Sequence, residues 1–487
     1  MGVSEIGERL QELEQLGLSR RLRLVSGPQG PTVLLDGKPV LLLCSNNYLG
    51  LADHPRVREA AADAAMRWGV GAGASRLVSG TMTIHGRLEE RLAAFEGSEA
   101  CLLFGSGYLA NLGVIGALAG RGDVVFSDEL NHASIIDGCR LSRAEVVVYR
   151  HRDVEHLDWS LRRHSGERRL IVTDSVFSMD GDVAPLEEIV GLADMHGARL
   201  VVDEAHATGN LGPGGRGAVA AAGLEGEIDV IVGTLGKALG SYGAYACASA
   251  EIVRYLINSS RSLIFSTAPA PPAVAAALAA LELLQERPHR VQRLRSNARV
   301  LRRALAAEGF PVADTEMHIV PLIVGDERGA VHICQEAIAQ GAFAQAIRPP
   351  TVPAGTSRLR LTAMASHTGT ELQMAASVFG AAARKVGLDP AEMTPPLSER
   401  QEEMARELAY SELTAVGHVR FDGNDEPTGA PFDLERDAEV EAALVSTPVR
   451  ASTRRTALDF ETSEMPALAR ANAPFDFERE LRGVRAA

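Results

Sequence analysis

Short apolar segments alternate with segments of helical pattern through the middle of the chain. The apolar segments are five or six residues long and lie at 100–104, 123–127, 145–149, 169–173, 199–203, 229–233 and 244–249. Helical segments, such as those at 107–118 and 186–195, separate most of them. A strand that is apolar along its whole length must be covered on both faces, which is typical of a parallel sheet between layers of helices. The pattern therefore predicts an α/β fold whose large domain contains a mostly parallel sheet.

Changes in this pattern divide the chain into four predicted parts. Residues 1–50 contain a helix followed by two strands around an Asp-Gly turn, and residues 51–290 form the large domain. Residues 291–387 mix strands and helices again, which predicts a smaller C-terminal α+β domain. In residues 388–487 long apolar runs disappear and acidic residues, Pro, Thr and Ala are frequent. This composition predicts a mostly disordered tail with one helix at 398–416.

The tail contains a near-repeat, APFDLER at 430–436 and APFDFER at 473–479. An aromatic residue beside acidic residues in a disordered background suggests a docking peptide for an unknown protein. Drift within a low-complexity segment explains the same repeat without any partner, so both interpretations stay open.

Charge and cysteine content limit the partners and the compartment. A net charge of −14 disfavours nucleic acid and anionic membrane surfaces, because both would be repelled. The five cysteines are scattered without a CxxC pair, which favours reduced thiols in a reducing compartment and gives no metal site. The N-terminal segment does not resemble a signal peptide, and no apolar run reaches the roughly 18 residues of a membrane span. We therefore expect a cytoplasmic protein without a membrane segment.

Two segments at the ends of predicted strands carry the residues that one cofactor requires. VVDEAHATG ends a strand at Asp203, and VIVGTLGKALG ends the next strand near Thr234. Ligands bind at the carboxyl ends of strands in open parallel sheets. Pyridoxal phosphate (PLP) needs a lysine for its Schiff base and an aspartate that keeps its pyridine nitrogen protonated, and Lys237 and Asp203 fit these roles. His206 is then in reach of the ring's 3-oxygen, and Thr234 is in reach of the phosphate.

Three further segments place candidate residues at strand ends. FGSGYLAN opens a helix after a strand, so Gly107 and Tyr108 are candidates for holding a phosphate at the helix N-terminus. His132 follows another strand end, where its ring can stack on the pyridine, and SVFSMDGD offers Ser178 beside the ring. The DEAH tetrapeptide also resembles a helicase metal-binding box. No GxxxxGK[ST] loop accompanies it, so we discard that interpretation.

Together these segments resemble the α-oxoamine synthase family, PLP enzymes that condense an amino acid with an acyl thioester and release CO₂. The resemblance rests on SNNYLGL, GAGASRLVSGT, FGSGYLAN, NHASIIDG, DSVFSMDGD, DEAHATG, GTLGKALG and IRPPTVPAGTSRLRLT, which follow the family's order. It spans residues 1 to about 387 and leaves the tail outside. It implies a fold-type I PLP-dependent transferase, similar to aspartate aminotransferase, that forms a homodimer.

The resemblance also implies roles for individual residues. Lys237 is the Schiff-base lysine in the family's pattern, His132 stacks on the ring, and Asp203 pairs with the pyridinium. Arg360 would hold the carboxylate of the amino acid. The remaining positions are Gly107, Tyr108, Ser178, His206 and Thr234 for the cofactor, Ser266 and Thr267 for the phosphate of the neighbouring subunit, and Arg20, Asn46 and Thr351 for the substrates.

The segment IRPPTVPAGTSRLRLT most resembles family members that join L-alanine to a pimeloyl thioester, on CoA or on a carrier protein, in biotin biosynthesis. Other members use glycine or another amino acid with a different acyl group. One methyl group in the pocket separates alanine from glycine and is worth about 1–3 kcal/mol, so the motifs leave this choice open. A PLP-binding regulatory protein is a third interpretation. It has no need for both Lys237 and Arg360, which argues against it.

Overall fold

The computed structural model describes residues 3–393. The predicted tail helix at 398–416 and the near-repeat lie outside these residues, and so does the docking hypothesis that depends on the repeat. The domain boundaries near residues 50, 290 and 387 stay predictions. No helix in the described range combines the length and the hydropathy that crossing a membrane requires.

The regular elements of the described residues are as follows. The helices are α1 (Val3–Gln15), α2 (Pro55–Trp68), α3 (Thr83–Glu96), α4 (Gly107–Leu118), α5 (Ala133–Ser142), α6 (Val154–Arg163), α7 (Leu186–His196), α8 (Ala218–Ala222), α9 (Ala250–Ser259), α10 (Arg261–Ile264), α11 (Pro271–Glu286), α12 (His289–Ala307), α13 (Glu327–Ala339) and α14 (Gly369–Lys385). The strands are β1 (Val25–Ser26), β2 (Thr32–Leu35), β3 (Lys38–Leu42), β4 (Ala100–Phe104), β5 (Val124–Asp128), β6 (Glu145–Tyr149), β7 (Arg169–Asp174), β8 (Arg199–Asp203), β9 (Val230–Thr234), β10 (Ala244–Ala248), β11 (Ile319–Gly325), β12 (Ala342–Phe343), β13 (Gln345–Ile347) and β14 (Ser357–Thr362). Single turns of π-helix and 3-10 helix lie at Arg76–Gly80, Pro213–Gly215 and Pro390–Glu392.

A seven-stranded sheet in the order β4-β10-β9-β8-β7-β5-β6 forms the centre of the fold. Strands β9, β8, β7, β5 and β6 pair in parallel, whereas β10 pairs antiparallel with both β9 and β4. The predicted α/β fold with a mostly parallel sheet is confirmed. Every apolar segment of the alternating pattern forms a strand, with ends that differ by at most one residue from the prediction.

The central strands are apolar throughout because both faces of the sheet are buried. Val201 of β8 packs in a core with residues of α4, α5 and α9, and it is 2% exposed. The next residue, Val202, faces the opposite core with residues of α2, α3 and α11, and it is 0% exposed. Successive side chains of a strand point to opposite faces, so a polar residue at either position would be cut off from water.

The direction in which the chain winds changes between β5 and β7. From β5 the chain continues outward to β6, whereas from β7 it continues in the opposite direction to β8 and β9. The loops that follow β5 and β7 therefore leave the sheet on opposite sides. They open a crevice at the carboxyl ends of these strands, which is where open parallel sheets bind their ligands.

Two smaller sheets bring the N-terminal and C-terminal segments to this crevice. Strands β11, β14 and β13 form an antiparallel sheet, and β12 pairs in parallel with β3 of the N-terminal sheet. Two backbone hydrogen bonds join the segment after β3 to the end of β14 and the residues that follow it. The amide of Thr362 donates to the carbonyl of Leu43 at 2.6 Å, and the amide of Ala365 donates to the carbonyl of Tyr48 at 2.7 Å.

Gly233 of β9 leaves no room for a side chain beside Tyr245 of β10. A Cβ at this position would lie 2.1 Å from Cζ of Tyr245, whose hydroxyl is hydrogen-bonded to the buried Glu96. We expect Gly233→Ala to lower the free energy of unfolding by about 1–3 kcal/mol, because the ring cannot move without breaking that bond. Denaturant unfolding measures this change.

The matched control for this variant is Gly191→Ala in α7. No atom lies within 4 Å of the added carbon, and the position is exposed. Alanine in a helix interior is favoured over glycine by roughly 0.5–1 kcal/mol, so this variant should be neutral or stabilising. Equal stabilities for the two variants would contradict the packing described for β9 and β10.

Candidate active site

Side chains from four strand ends converge at the carboxyl edge of the central sheet. Asp203 ends β8, Thr234 ends β9, and His132 follows β5 as the N-terminal cap of α5. Ser178 lies in the loop after β7. These parallel strands are neighbours, so the four predicted residues come to one edge of the sheet.

Lys237 lies in the loop after β9, and its amine is 2.8 Å from Nε2 of His206. Burial lowers the pKa of this amine to about 8, although the negative charge of Asp203 favours its charged form. Burial also lowers the pKa of His206 well below its usual value, and the charge of Lys237 adds to this effect. His206 is therefore neutral near pH 7. Lys237 has an appreciable unprotonated fraction at mildly alkaline pH, and in that form it can act as a nucleophile or a base.

The other nitrogen of the His206 ring contacts Tyr48, which sequence analysis did not single out. The Tyr48 hydroxyl lies 2.7 Å from Nδ1 of His206 and 3.0 Å from Oδ1 of Asn46. Tyr48 is 0% exposed, so its hydroxyl depends on these partners. A continuous chain of hydrogen bonds thus runs from Lys237 through His206 and Tyr48 to Asn46.

Arg360 projects from β14 into the same group and is 6% exposed. Its Nε donates to the carbonyl of Ser178, and its two Nη atoms lie 3.3 Å from Oδ1 of Asn46 and from the hydroxyl of Tyr48. Within residues 3–393 none of these bonds goes to a carboxylate, whereas Arg358 on the same strand forms a salt bridge. A buried guanidinium with neutral partners is well placed to bind a carboxylate that arrives with a substrate.

Asp203 is buried and connected to His132 through two side chains. Its Oδ2 accepts a 2.7 Å hydrogen bond from Nδ2 of Asn111 on α4. The same nitrogen lies 2.9 Å from the Ser134 hydroxyl, which is 2.7 Å from Nδ1 of His132. Burial lowers the pKa of His132, which favours the neutral ring. Asn111 lies within the FGSGYLAN motif, but its contact with β8 depends on how α4 packs and was not predicted.

A second buried carboxyl group, Asp174, lies beside Asp203 on the neighbouring strand. Burial and the charge of Asp203 raise the pKa of Asp174 well above its usual value, which favours its neutral form. Its Oδ2 accepts a 2.7 Å hydrogen bond from the backbone amide of His132. This residue begins the segment DSVFSMDGD, but no role was predicted for it. Its position at a strand end next to Asp203 was the available signal.

The N-terminus of α4 faces Thr234. A Cβ built on Gly107 would lie 4.0 Å from Cβ of Thr234, so these two predicted phosphate contacts are neighbours. The Thr234 hydroxyl accepts a 3.2 Å hydrogen bond from the amide of Gly236. Tyr108 is 41% exposed, and its hydroxyl donates to Asp137. A helix N-terminus beside a hydroxyl group suits an anion, because the helix dipole is positive there.

Four predicted residues lie apart from this group. Arg20 is exposed, and its guanidinium donates at 3.0 Å to the backbone carbonyl two residues before Thr351. Thr267, which follows Ser266, forms an isolated bridge with Ser75. Within the described range no hydrogen bond connects these four residues to the group above, so their roles stay predictions.

Comparison with known proteins assigns the family. A family model of class I and II aminotransferases matches residues 38–379. A curated 8-amino-7-oxononanoate synthase from Geobacter sulfurreducens is 52% identical over 386 residues, which cover 79% of this chain and 99% of that protein. A protein of the same name from Anaeromyxobacter dehalogenans is 53% identical over 367 residues, which cover 75% and 92%. The chain belongs to the class I and II aminotransferase family. Within it, the chain is an α-oxoamine synthase, as the sequence motifs predicted.

Solved structures of this family have the same fold. A serine palmitoyltransferase from S. paucimobilis, solved with a PLP–myriocin aldimine, is 37% identical with a TM-score of 0.75, covering 79% of this chain and 98% of that one. An 8-amino-7-oxononanoate synthase from Francisella tularensis is 26% identical with a TM-score of 0.62, covering 72% and 99%. The predicted fold-type I transferase is confirmed.

The lowered pKa of Lys237 can be measured directly because the chain has only three lysines, Lys38, Lys237 and Lys385. Only the unprotonated amine reacts with formaldehyde and a hydride donor. We expect the labelling of Lys237 in the ligand-free protein to rise with pH with a midpoint near 8, well below the value of about 10.4 found in model peptides. Mass spectrometry of the three peptides gives each rate. A midpoint for Lys237 at or above that of the exposed Lys38 would contradict the effect of burial.

Proposed function

We propose that this chain is a PLP-dependent acyltransferase that condenses L-alanine with a pimeloyl thioester. The products are 8-amino-7-oxononanoate, CO₂ and the free thiol, and the step belongs to biotin biosynthesis. The proposal is carried by three groups at one sheet edge, the amine of Lys237, the carboxylate of Asp203 and the guanidinium of Arg360. Relatives that are 52% identical over nearly their whole length bear the name of this activity.

The residues at the sheet edge fit PLP. Its ring nitrogen requires a carboxylate, and Asp203 is held in a buried position by Asn111. Its aldehyde requires an amine with a lowered pKa, which is the condition of Lys237. Its phosphate requires a helix N-terminus and hydroxyl groups, which Gly107 at the start of α4 and the neighbouring Thr234 supply.

When bound, PLP supplies an electron sink that stabilises negative charge on the Cα of the amino acid. Lys237 removes the Cα proton and later returns one, since a pKa of about 8 lets its amine exchange protons near neutral pH. The negative charge of the buried Asp203 carboxylate stabilises the protonated form of the ring nitrogen. The neutral His206 orients the amine by the 2.8 Å hydrogen bond to Nζ.

His132 serves the acyl substrate as a hydrogen-bond donor. The amide of Ser134 donates to Nδ1 of His132 at 3.3 Å, so the proton of the neutral ring lies on Nε2. Nε2 then donates to the thioester carbonyl as negative charge develops on its oxygen. Donors of this kind lower barriers by about 2.7–4 kcal/mol in acyl transfer.

The remaining site residues complete the proposal. Arg20 binds the acyl substrate and Thr351 lines the substrate site. The hydrogen bond from Arg20 to the carbonyl of Pro349, two residues before Thr351, supports a shared location for these two roles. Ser266 and Thr267 reach the PLP phosphate of a second subunit, so the active unit is a homodimer. The enzyme acts in the cytoplasm on pimeloyl-CoA or on a pimeloyl carrier protein. A protein partner of the tail is a separate hypothesis.

A second candidate is a sister synthase with another amino acid or acyl chain, such as serine palmitoyltransferase, glycine C-acetyltransferase or 5-aminolevulinate synthase. The likeness to the solved serine palmitoyltransferase favours it. Arg360 cannot distinguish these substrates, because every amino acid carries the same carboxylate. The higher identity to the 8-amino-7-oxononanoate synthases favours alanine and pimeloyl.

Mass spectrometry of the reaction product tests the proposal. The full-length protein with PLP, L-alanine and pimeloyl-CoA is expected to form 8-amino-7-oxononanoate, with glycine used at least about 10-fold less efficiently. Lys237→Ala should lose both the product and the visible absorbance that PLP gains on joining the lysine. Lys385→Ala removes an exposed lysine that pairs with Glu336 and should retain both. Turnover by Lys237→Ala at the wild-type rate would rule out the assigned role.

Arg360→Lys tests carboxylate binding. A lysine keeps the charge but loses the planar pair of donors, so we expect the KM for L-alanine to rise by roughly 10–100-fold with a smaller change in the KM for the thioester. Steady-state kinetics measure both values. Arg299→Lys alters an exposed pair with Glu316 and is the matched control. Equal effects on the two KM values would argue against carboxylate binding by Arg360.

A further inference from the structure

The chain after β7 folds back on itself between residues 175 and 184, a segment here called the 175–184 loop. The amide of Phe177 donates to the carbonyl of Asp182 at 3.0 Å, which closes the loop. At its tip the carbonyl of Ser178 accepts the hydrogen bond from Nε of Arg360. The loop therefore holds one side of the guanidinium to which the substrate carboxylate is assigned.

His151 connects this loop to β5. Its Nδ1 lies 2.9 Å from Oδ1 of Asp128, the last residue of β5, and its Nε2 lies 2.7 Å from Oδ2 of Asp182 in the loop. The residue is 6% exposed. Its ring stands edge-on to Phe177, with 4.3 Å between ring centroids and 88° between planes. One buried side chain thus links the end of a core strand to two residues of the loop.

The two carboxylates fix the protonation of His151. An ionised carboxylate only accepts hydrogen bonds, so both ring nitrogens must donate. Burial alone would lower the pKa of His151, but Asp128 and Asp182 together raise it to about 10. Burial would likewise raise the pKa of Asp182, but the hydrogen bond from His151 brings it below its usual value. At neutral pH the bridge is an imidazolium between two carboxylates.

Asp128 is anchored independently of this ring. Its Oδ2 accepts a 2.9 Å hydrogen bond from the amide of Arg152, whose exposed guanidinium lies 3.4 Å from Asp182. The amide of His151 donates to Oε1 of Glu129 at 3.0 Å. Asp128 is therefore a fixed point at the end of β5. The His151 ring is the buried connection from that point to the loop.

We propose that His151 is a positioning residue that sets the orientation of Arg360 toward the carboxylate of the amino acid, acting through Asp182 and the 175–184 loop. The inference rests on the proposed function, since that function assigns the carboxylate to Arg360. A buried guanidinium keeps one orientation only while its partners keep theirs. Of the three partners of Arg360, Asn46 and Tyr48 belong to the segment after β3, whereas Ser178 belongs to the 175–184 loop.

His151→Gln in the full-length, PLP-loaded protein tests this role. Glutamine is neutral, and its single amide nitrogen cannot reach both carboxylates in the way the imidazolium does. We expect the Kd for L-alanine, measured by calorimetry, and its KM to rise about tenfold, while kcat and the KM for pimeloyl-CoA change less than about threefold. Amide hydrogen exchange in residues 175–184 should also become faster.

The matched control is His196→Gln. His196 is a histidine of α7 whose Nε2 lies 2.8 Å from Oδ1 of Asp158, and neither residue has a hydrogen bond to the 175–184 loop. The control should leave the Kd for L-alanine and the exchange of the loop unchanged. A Kd for His151→Gln that equals that of His196→Gln would overturn the inference. Equal losses in all kinetic constants would overturn it too, because they would mean a general structural role.

Asp182→Asn provides the same test if His151→Gln fails to fold. It preserves the size of the side chain and removes the ionised partner of His151, so the same selective loss of L-alanine affinity is expected. Unchanged affinity in this variant would overturn the inference. Failure of the proposed function gives a different result, since the wild-type protein would then form no product from L-alanine and pimeloyl-CoA.

Discussion

Exclusion of water from the carboxyl ends of β7, β8 and β9 sets the chemistry of the site. Asp174 and Asp203 are 3% and 5% exposed, and the amine of Lys237 lies close enough to interact with both carboxyl groups. Charges interact more strongly where water is absent. The shifted pKa values of Lys237 and Asp174 therefore follow from where the strands end. The apolar strands beneath, covered on both faces, produce this environment before any ligand is present.

The geometry around Arg360 depends on three distant parts of the chain. The guanidinium comes from β14, Asn46 and Tyr48 come from the segment after β3, and Ser178 comes from the loop after β7. Backbone hydrogen bonds join two of these parts. One example is the bond from the amide of Thr362 in β14 to the carbonyl of Leu43, which directly follows β3. The small C-terminal sheet thus contributes directly to the chemistry at the edge of the large one.

The sequence allowed the strands and their polar ends to be predicted, because buried strands need continuous apolar residues and ligands gather where such strands end. Asp203, Lys237 and His132 were found in this way. Asn111 and Tyr48 were missed because their importance depends on contacts across 92 and 158 positions of the chain. The pattern and spacing of residues in a sequence indicate only which side chains are close when they are also close along the chain. His151 was missed for the same reason, since its two carboxylate partners lie 23 and 31 positions away.

The scarcity of lysine has a consequence for loading of the protein with PLP. Aldehydes condense with neutral primary amines wherever they meet them, whereas arginine side chains stay protonated at neutral pH and do not compete. All but three of the 49 basic residues counted as Lys or Arg are arginines. A reactive aldehyde that diffuses over this surface therefore meets few side chains on which it can be trapped. If Lys237 has the proposed role, selective attachment there is favoured by the scarcity of other lysines as well as by the site itself.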